Sequence, residues 1–375
     1  MKEWDSFGLD IDVLRGIYSV GFEYPSPIQE RAIPELLTGR DVIAQAQSGT
    51  GKTGAFCISA LQRCKSTERP VLILSPTREL AMQTNSVFSK LATFTTIKSH
   101  LLIGGSSVDN DVRILRSNKP QVIIGCPGRV LDFCMRKYIP STFFMIILDE
   151  ADEILSMGFQ QQVKSIFSHF EDMNQVVMFS ATIPDTLVDI TSKIMRDPIE
   201  ILVKADQLTL EGIAQFYISF ETDDDKLGAL QDLYESISVS QSIIYCNSVK
   251  RVRSLYDTMK DAGFPTCCIH SEMDKMERTQ AFNDFKDGKY RVLISSNVTS
   301  RGIDIQQVSV VINFDIPRCV NNYLHRIGRS GRWGRKGLGI NFVTRFDKDM
   351  IESIESHYKI KIQPLPSDYS TMISN

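Results

Sequence analysis

Ten short apolar runs, arranged in two series of five, most constrain how this 375-residue chain can fold. The first series is DVIAQA, VLILSP, QVIIGCP, FFMIILDE and QVVMFSA; the second is QSIIYCN, PTCCIHS, RVLISSN, VSVVINFD and GLGINFVT. Most runs are rich in β-branched residues and end in small or polar ones, which is typical of buried parallel strands. Amphipathic segments between the runs, such as Gln160 to Phe170, predict crossover helices. The pattern therefore predicts an α/β protein with two tandem units, each a mostly parallel sheet flanked by helices.

A polar segment that ends in glycine, VKADQLTLEG, lies between the two series. We expect an N-terminal domain over 1–204, a linker over 205–212 and a C-terminal domain over 213–375. The content of 42% hydrophobic and 23% charged residues is that of a globular protein.

Several classes of protein are disfavoured by the sequence. The longest wholly apolar stretch, 143–148, is far shorter than the roughly 20 residues of a membrane span, so no membrane partner is expected. The eight cysteines form no C-x-x-C pair, and we interpret them as reduced residues that bind no zinc. The acidic start MKEWDSFGLD differs from a secretory signal and predicts a cytosolic or nuclear location.

The first chemical signal is AQSGTGKT, which follows the strand-like DVIAQA and precedes a helical pattern. A glycine-containing turn at a helix N-terminus presents backbone N–H groups that can hold phosphate oxygens. Lys52 would then reach the β and γ phosphates, and the Thr53 hydroxyl would bind Mg²⁺. Ala46 replaces the first glycine of the usual pattern, but the strand before and the helix after favour a nucleotide site over a chance match.

The second signal is ILDEADE, in which two acids follow the apolar strand 143–148. At the carboxyl end of that strand Asp149 could hold Mg²⁺, partly through water, and Glu150 could act as general base on the attacking water. Alternatively, these acids only favour a helix N-terminus through its dipole. That alternative does not explain why a phosphate-loop lysine accompanies them, so the sequence predicts nucleotide hydrolysis.

Six motifs in order now carry a family resemblance: AQSGTGKT (46–53), PTREL (76–80), DEAD (149–152), SAT (180–182), RGID (301–304) and HRIGRSGR (325–332). The chain resembles the DEAD-box RNA helicases of superfamily 2 over nearly its whole length. The resemblance implies two RecA-like domains, ATP and Mg²⁺ as cofactors, RNA-stimulated hydrolysis, and unwinding of short duplexes by bending one strand. Within that family the chain is most similar to the initiation factor 4A subfamily.

The family pattern also implies an adenine-recognition motif over 4–29. The Gln29 amide can both donate to and accept from the adenine edge, which would select ATP over GTP. Trp4 stands at the position, 17 residues before Gly21, where the family has a Phe that stacks on adenine, and Phe7 is the alternative ring. The remaining implied nucleotide contacts are Phe22, Tyr24, Ala46, Gln47, Ser48, Gly49, Thr50, Gly51, Lys52, Thr53, Gly302 and Asp304.

Contacts to RNA and between the two sites follow from the same resemblance. The implied RNA contacts are Pro76, Thr77, Arg78, Gly104, Gly105, Pro127, Gly128, Arg129, Asn247, Arg278, Ser296 and Arg301. The implied coupling residues are Asp152, Ser180, Ala181, Thr182 and His325. The chain departs from the family pattern at Cys126, Lys275 and Asn297, where Thr, Gln and Asp are common. A thiol is a weaker donor than a hydroxyl, which puts phosphate binding by Cys126 in doubt.

The stretch HRIGRSGRWGRKG is strongly basic in a chain of net charge −3. It could be a solvated basic face that meets any polyanion. The resemblance instead implies that Arg329 and Arg332 are catalytic arginine fingers supplied in cis, and residues three apart share one face of a helix. His325 and Arg326 would support a contact between the domains, and Arg335 with Lys336 would be solvated.

The resemblance further implies partners and a pathway. Single-stranded and short duplex RNA would bind without sequence specificity, because the contacts go to phosphates and 2′-hydroxyls. The 4A subfamily implies a monomer in the cytoplasm, a scaffold factor of the 4G type, a cofactor of the 4B or 4H type, and unwinding of mRNA 5′ leaders. The alternatives are an exon-junction-type RNA clamp or a ribosome-assembly protein, both nuclear, a DNA-directed helicase, and a non-enzymatic RNA-binding module.

Overall fold

The structure is a computed structural model that describes residues 3–46, 49–156, 158–170, 172–173, 175–201, 213–236, 241–297, 308–330 and 337–366. The chain divides into two compact units, Met1–Val203 and Lys204–Asn375. The expected linker over 205–212 lies outside the described residues. Each unit is therefore described by itself.

The first unit is built on a seven-stranded parallel sheet with the order β3-β4-β2-β6-β8-β1-β9 among its described residues. Its strands are β1 (Val42–Gln45), β2 (Val71–Leu74), β3 (Ser99–Leu102), β4 (Val122–Gly125), β6 (Met145–Leu148), β8 (Val176–Ser180) and β9 (Ile199–Ile201). A short pair, β5 (Thr142–Phe143) and β7 (Asp172–Met173), lies beside it. The central strands β2, β4 and β6 are buried along their whole length, as strands covered on both faces by helices must be.

Helices cover both faces of this sheet. They are α1 (Ile11–Ser19), α2 (Pro27–Thr38), α3 (Lys52–Cys64), α4 (Arg78–Leu91), α5 (Val108–Asn118), α6 (Pro127–Met135), α7 (Ala151–Ser156), α8 (Gln160–Ser168) and α9 (Asp185–Ile194), with 3₁₀ turns at Trp4–Phe7 and Ala92–Phe94. Local sequence explains several of their starts. Ser26 forms a capping box with Gln29 before α2, Thr77 accepts from the backbone of Leu80 at the start of α4, and Pro127 takes the first turn of α6.

The second unit repeats this architecture with the order β12-β13-β11-β14-β15-β10-β16, again all parallel. Its strands are β10 (Ile213–Ser219), β11 (Gln241–Tyr245), β12 (Thr266–Ile269), β13 (Val292–Ser295), β14 (Val308–Asn313), β15 (Gly337–Val343) and β16 (Gln363–Pro364). Its helices are α10 (Asp225–Ser236), α11 (Val249–Asp261), α12 (Lys275–Lys286), α13 (Val320–Ile327) and α14 (Lys348–Tyr358). Two tandem α/β units are thus confirmed.

All ten predicted strands are present, but the sequence reading missed others. The strands β3, β9, β10 and β16 lie toward or at the sheet edges, where burial is incomplete and the continuous apolar run is lost. Within the described part of the chain, no helix is both long and apolar enough to cross a bilayer.

Candidate active site

The phosphate loop joins β1 to α3 at the carboxyl edge of the first sheet. Gly51 has φ +105° and precedes Lys52, the first residue of α3. A Cβ on Gly51 would lie 2.6 Å from Ser26 Oγ and 2.9 Å from Gln29 Nε2, so this position requires glycine both for its backbone angle and for space. Two further predicted loop residues, Gln47 and Ser48, lie outside the described residues.

Gln29 ties the loop to α2. Its Nε2 donates to the Gly51 carbonyl at 3.1 Å, and its Oε1 accepts from the Ser26 backbone at 2.8 Å. A primary amide has two N–H donors and two acceptor lone pairs, so each end of Gln29 retains one site for a base edge. The same side chain can thus shape the phosphate loop and meet a nucleobase.

The predicted adenine-stacking role of Trp4 is wrong for this geometry. Trp4 is fully buried, its Nε1 donates to the Phe22 carbonyl at 2.9 Å, and its ring packs 5.8 Å from that of Phe7. A ring enclosed by protein has no face open to a base. Phe7 is partly exposed, Phe22 is half-buried and Tyr24 is 56% exposed, so these rings remain available where Trp4 is not.

A buried ion pair links the two nucleotide motifs. Lys52 Nζ lies 3.0 Å from Glu150 Oε1, and both side chains are almost fully buried. Asp149, which directly follows β6, is also buried, and burial together with the charge of Glu150 raises the pKa of Asp149 to about 7, against the opposing effect of Lys52. The backbone of Glu150 has φ +49°, a sparsely populated conformation that often marks functional sites.

The two acids that directly follow β6 bear on the predicted Mg²⁺ site. The carboxylates of Asp149 and Glu150 are both buried, and Lys52 acts on both of them. The described residues contain no group of three or more His, Cys, Asp or Glu arranged to hold a metal. The residues therefore fit Mg²⁺ bound by one or two protein oxygens, waters and phosphate, which is how this ion usually binds, and not a closed protein cage. Thr53 is half-buried in the first turn of α3, next to Lys52.

The predicted coupling residues of the first unit form one hydrogen-bonded group. Thr182 Oγ1 donates to Asp152 Oδ2 at 2.6 Å, and Ser180 Oγ accepts from the Asp152 backbone at 3.2 Å while it donates to the Thr182 carbonyl at 2.6 Å. The Ala181 carbonyl accepts from Gln45 Nε2, on the strand that leads into the phosphate loop. The end of β8 is thus bound to both nucleotide motifs.

The predicted RNA-contact residues of the first unit follow the carboxyl ends of β2, β3 and β4. Pro76, Thr77 and Arg78 start α4, and Gly104 and Gly105 follow β3. A Cβ on Gly104 would meet nothing within 4 Å, and the same holds for Gly128 in α6. Packing within the protein does not explain these glycines, whereas close approach of a phosphate backbone would.

Arg129 is engaged within its own unit. Its guanidinium donates to Ser106 and lies 3.1 Å from Asp111 Oδ2, and the other Asp111 oxygen lies 3.2 Å from His100 Nε2. Arg129 therefore fixes the loop that carries Gly104 and Gly105 in this conformation.

In the second unit a buried arginine donates hydrogen bonds to residues at the ends of several strands. Arg326 is fully buried and donates to the side chains of Asn247, Asn297 and Asn313 at 2.7, 2.8 and 3.1 Å, and to the Asp315 carbonyl at 2.7 Å. Burial lowers the pKa of Arg326 to about 10. Arg326 was expected to support a contact between the domains. In the structure its hydrogen bonds go instead to residues of its own unit.

The sequence reading missed this network. Asn313 Nδ2 donates to Asn341 Oδ1, and Asn341 Nδ2 in turn donates to the Tyr323 hydroxyl at 3.2 Å. The sequence did contain a signal for it: the apolar runs VSVVINFD and GLGINFVT each carry an asparagine between Ile and Phe. An asparagine buried in a strand needs hydrogen-bond partners, which predicts a polar network there.

The other predicted residues of the second unit are only partly described. Arg278 lies on α12, Ser296 follows β13, and His325 is buried on α13. The helix α13 ends at Ile327, so the expectation that Arg329 lies on a helical face is wrong; its Nε bonds to the His325 carbonyl at 3.2 Å. Four predicted site residues lie outside the described residues: Arg301, Gly302, Asp304 and Arg332.

Comparisons with known proteins show the family of this chain. Residues 26–190 match the family model described as DEAD/DEAH box helicase, and residues 225–334 match the helicase conserved C-terminal domain. The ATP-dependent RNA helicase eIF4A of Chaetomium globosum is 48% identical over 376 residues, which cover all of this chain and 94% of that protein. The ATP-dependent RNA helicase FAL1 of Candida glabrata is 46% identical and covers 98% and 94%.

A solved structure extends the likeness to three dimensions. Dbp5 of S. cerevisiae bound to RNA and ADP BeF3 matches with a TM-score of 0.91 and 34% identity, over all of this chain and 99% of that one. Identity of this level along the whole length, together with both domain models, shows the family. The chain belongs to the DEAD-box family of ATP-dependent RNA helicases.

Proposed function

We propose that this protein hydrolyses ATP on RNA binding and separates short RNA duplexes by bending one strand. The observation that carries the proposal is the connection from the Lys52–Glu150 ion pair, along the DEAD segment, to the hydrogen bond between Asp152 and Thr182. That connection joins the predicted hydrolytic groups to the end of β8. The relatives named eIF4A and FAL1, and the RNA-bound Dbp5 structure, support the same activity.

On the nucleotide side, each residue has a distinct task. Gln29 reads the adenine edge, while the backbone of the phosphate loop and Lys52 hold the phosphates. Glu150 takes the proton from the attacking water, and its carboxylate is freed for this when Lys52 turns to the γ phosphate. Thr53 and Asp149 would hold Mg²⁺, which neutralises developing negative charge on the phosphates when it is bound.

On the RNA side, small residues and helix N-termini hold the phosphate backbone. The open faces of Gly104 and Gly128 support contacts that ignore base identity. We therefore propose binding of single-stranded RNA without sequence preference.

The arginines of HRIGRSGR complete the proposed site. Arg329 and Arg332 act as fingers that stabilise charge on the transferring phosphate. Such groups accelerate related phosphoryl transfers by roughly 10³- to 10⁵-fold.

For the pathway, we propose translation initiation in the cytoplasm, with a 4G-type scaffold and a 4B- or 4H-type cofactor. Identity to relatives named eIF4A, 46–48%, is matched by that to relatives named FAL1, 46–47%. The second candidate is an ATP-dependent RNA clamp or a ribosome-assembly protein in the nucleus.

The decisive experiment measures ATP turnover with and without single-stranded RNA, together with strand separation of a short duplex. The proposal predicts turnover that RNA stimulates and release of the duplex strand. Arg332→Ala should bind ATP nearly as the unmodified chain does and lose the stimulation. Arg335→Ala, a change of equal size at a position expected to be solvated, is the matched control and should retain it. A clamp would instead hold RNA and ATP for long periods with slow turnover, and absence of any RNA stimulation would refute the proposal.

A further inference from the structure

A groove of about 920 Å³ lies in the first unit, away from the nucleotide motifs. Its lining includes Pro70, directly before β2, Gln121, directly before β4, and Ile97, just before β3. These positions mark the amino edge of the parallel sheet, whereas Asp149 and Ser180 mark its carboxyl edge. Strands of four residues separate the two edges by about 13 Å, so the groove is distinct from the proposed active site.

The groove combines an apolar floor with a cationic rim. Its apolar lining includes Phe94, Ile97, Leu115, Ile123 and Tyr138. Phe94 is 38% exposed, and the Arg15 guanidinium lies 4.4 Å from its ring centroid. The exposed part of Phe94, together with the half-buried Ile97 and Tyr138, can receive aromatic or aliphatic anchors from a partner.

Three exposed cations on the rim have no counter-ion among the residues that the structure describes. Arg116, Lys119 and Lys137 line the groove, and in the described part of the chain no hydrogen bond or ion pair joins their side chains to another group. The fourth lining cation, Lys65, is already paired with Asp10 and Asp12. Glu68 is the remaining lining acid, so the rim carries an excess of positive charge in a chain of net charge −3.

Two of these lysines stand where glycine is usual. Lys119 has φ +41° and Lys137 has φ +55°, and each follows a helix end. Glycine or asparagine adopts this conformation with less strain.

We propose that this groove binds an acidic peptide segment of a partner protein, which places aromatic or aliphatic anchors on the floor and carboxylates against Arg116, Lys119 and Lys137. RNA is the less suitable polyanion. The glycines that can approach a phosphate backbone lie at the opposite edge of the sheet, and Glu68 interrupts the cationic rim.

The test is fluorescence anisotropy with the full-length chain and a panel of fluorescein-labelled ten-residue peptides. Each peptide carries two aromatic residues, separated by one to four positions, among aspartates and glutamates; a second panel replaces the acids with lysines. At least one acidic peptide should bind saturably, its affinity should fall with added salt, and the lysine panel should not bind. The double variant Lys119→Glu/Lys137→Glu should weaken the acidic peptide at least about tenfold.

The matched control is Lys164→Glu/Lys193→Glu, which makes the same charge change at two exposed lysines of this unit that do not line the groove. It should leave the peptide affinity within about twofold, and circular dichroism should give both variants the melting behaviour of the unmodified chain. A ten-nucleotide oligouridine should not displace the peptide. The proposal fails if no acidic peptide binds at about 1 mM, if both double variants lose binding equally, or if the oligouridine displaces the peptide and loses affinity in Lys119→Glu/Lys137→Glu.

Discussion

Lys52 Nζ lies 3.0 Å from Glu150 Oε1, with 4% and 3% of the two side chains exposed. The pair joins the lysine expected to hold phosphate to the carboxylate expected to activate water. In such an arrangement each group is the ion-pair partner of the other in a buried site, where an isolated charge is strongly disfavoured. ATP can replace Glu150 as the partner of Lys52, which would free the carboxylate at the moment it is needed.

Glu150→Gln should therefore bind ATP within a few-fold of the unmodified chain while turnover falls by about 10²- to 10⁴-fold, because the amide cannot accept a proton. Nucleotide titration and single-turnover hydrolysis measure the two effects separately. Glu200→Gln, at an exposed acid on β9, is the control and should leave both unchanged. Near-normal hydrolysis by Glu150→Gln would remove Glu150 from the role of base.

Gln29→Ala should weaken ATP binding by about tenfold and erode the preference for ATP over GTP, because it deletes bonds to both Ser26 and Gly51. Gln29→Glu keeps an acceptor for the Ser26 backbone but loses the donor to Gly51. Competition between labelled ATP and GTP measures the selectivity. Unchanged discrimination in both variants would contradict base reading by Gln29.

Thr182→Val should reduce the stimulation of ATP turnover by RNA more than it reduces basal turnover. The change removes the 2.6 Å bond to Asp152 without a large change in volume, which in a buried site costs about 1–3 kcal/mol. Thr182→Ser retains the hydroxyl and should retain the stimulation. Equal RNA stimulation in the valine and serine variants would show that this bond does not couple the two sites.

Arg326→Lys should lower RNA affinity by about tenfold or more and leave ATP affinity nearly unchanged. A lysine ammonium cannot reproduce the planar fork that binds Asn247, Asn297 and Asn313 together. Arg253→Lys, at an exposed ion pair of the same unit, is the control. RNA anisotropy and nucleotide titration check the result, and an equal loss in both affinities would indicate a general folding defect.

His100 should make the free energy of unfolding depend on pH. Burial lowers the pKa of His100 below its usual 6.5, with Asp111 acting in the opposite direction. The unfolded chain then binds more protons than the folded one between the two pKa values, so stability is complete above pH 6.5 and falls as pH decreases toward the folded pKa. Denaturant melts at several pH values between 5 and 8 give the free energy of unfolding as a function of pH. This free energy should depend less steeply on pH in His100→Gln. An identical slope in both proteins would contradict this assignment.

The ten buried strands were predictable because a parallel strand covered on both faces must be apolar along its whole length. Strands β10 and β16 were not, since Ile213–Ser219 is at most half-buried along its length and Gln363–Pro364 is exposed. The chemical motifs were also predictable, because a phosphate loop needs glycine where its backbone turns to a positive φ, as at Gly51.

By itself, the sequence determined the α/β class, the two series of strands and which residue types carry the chemistry, because these depend on local periodicity and short motifs. Only the tertiary structure decided which of those side chains are accessible. Trp4 has the right chemistry for adenine but is buried, and Arg326 lies within a cationic stretch yet bonds to three asparagines inside its own unit. Burial and hydrogen-bond partners come from segments distant in the chain, as the sequence separation of 79 between Asn247 and Arg326 illustrates, and no local pattern encodes that contact.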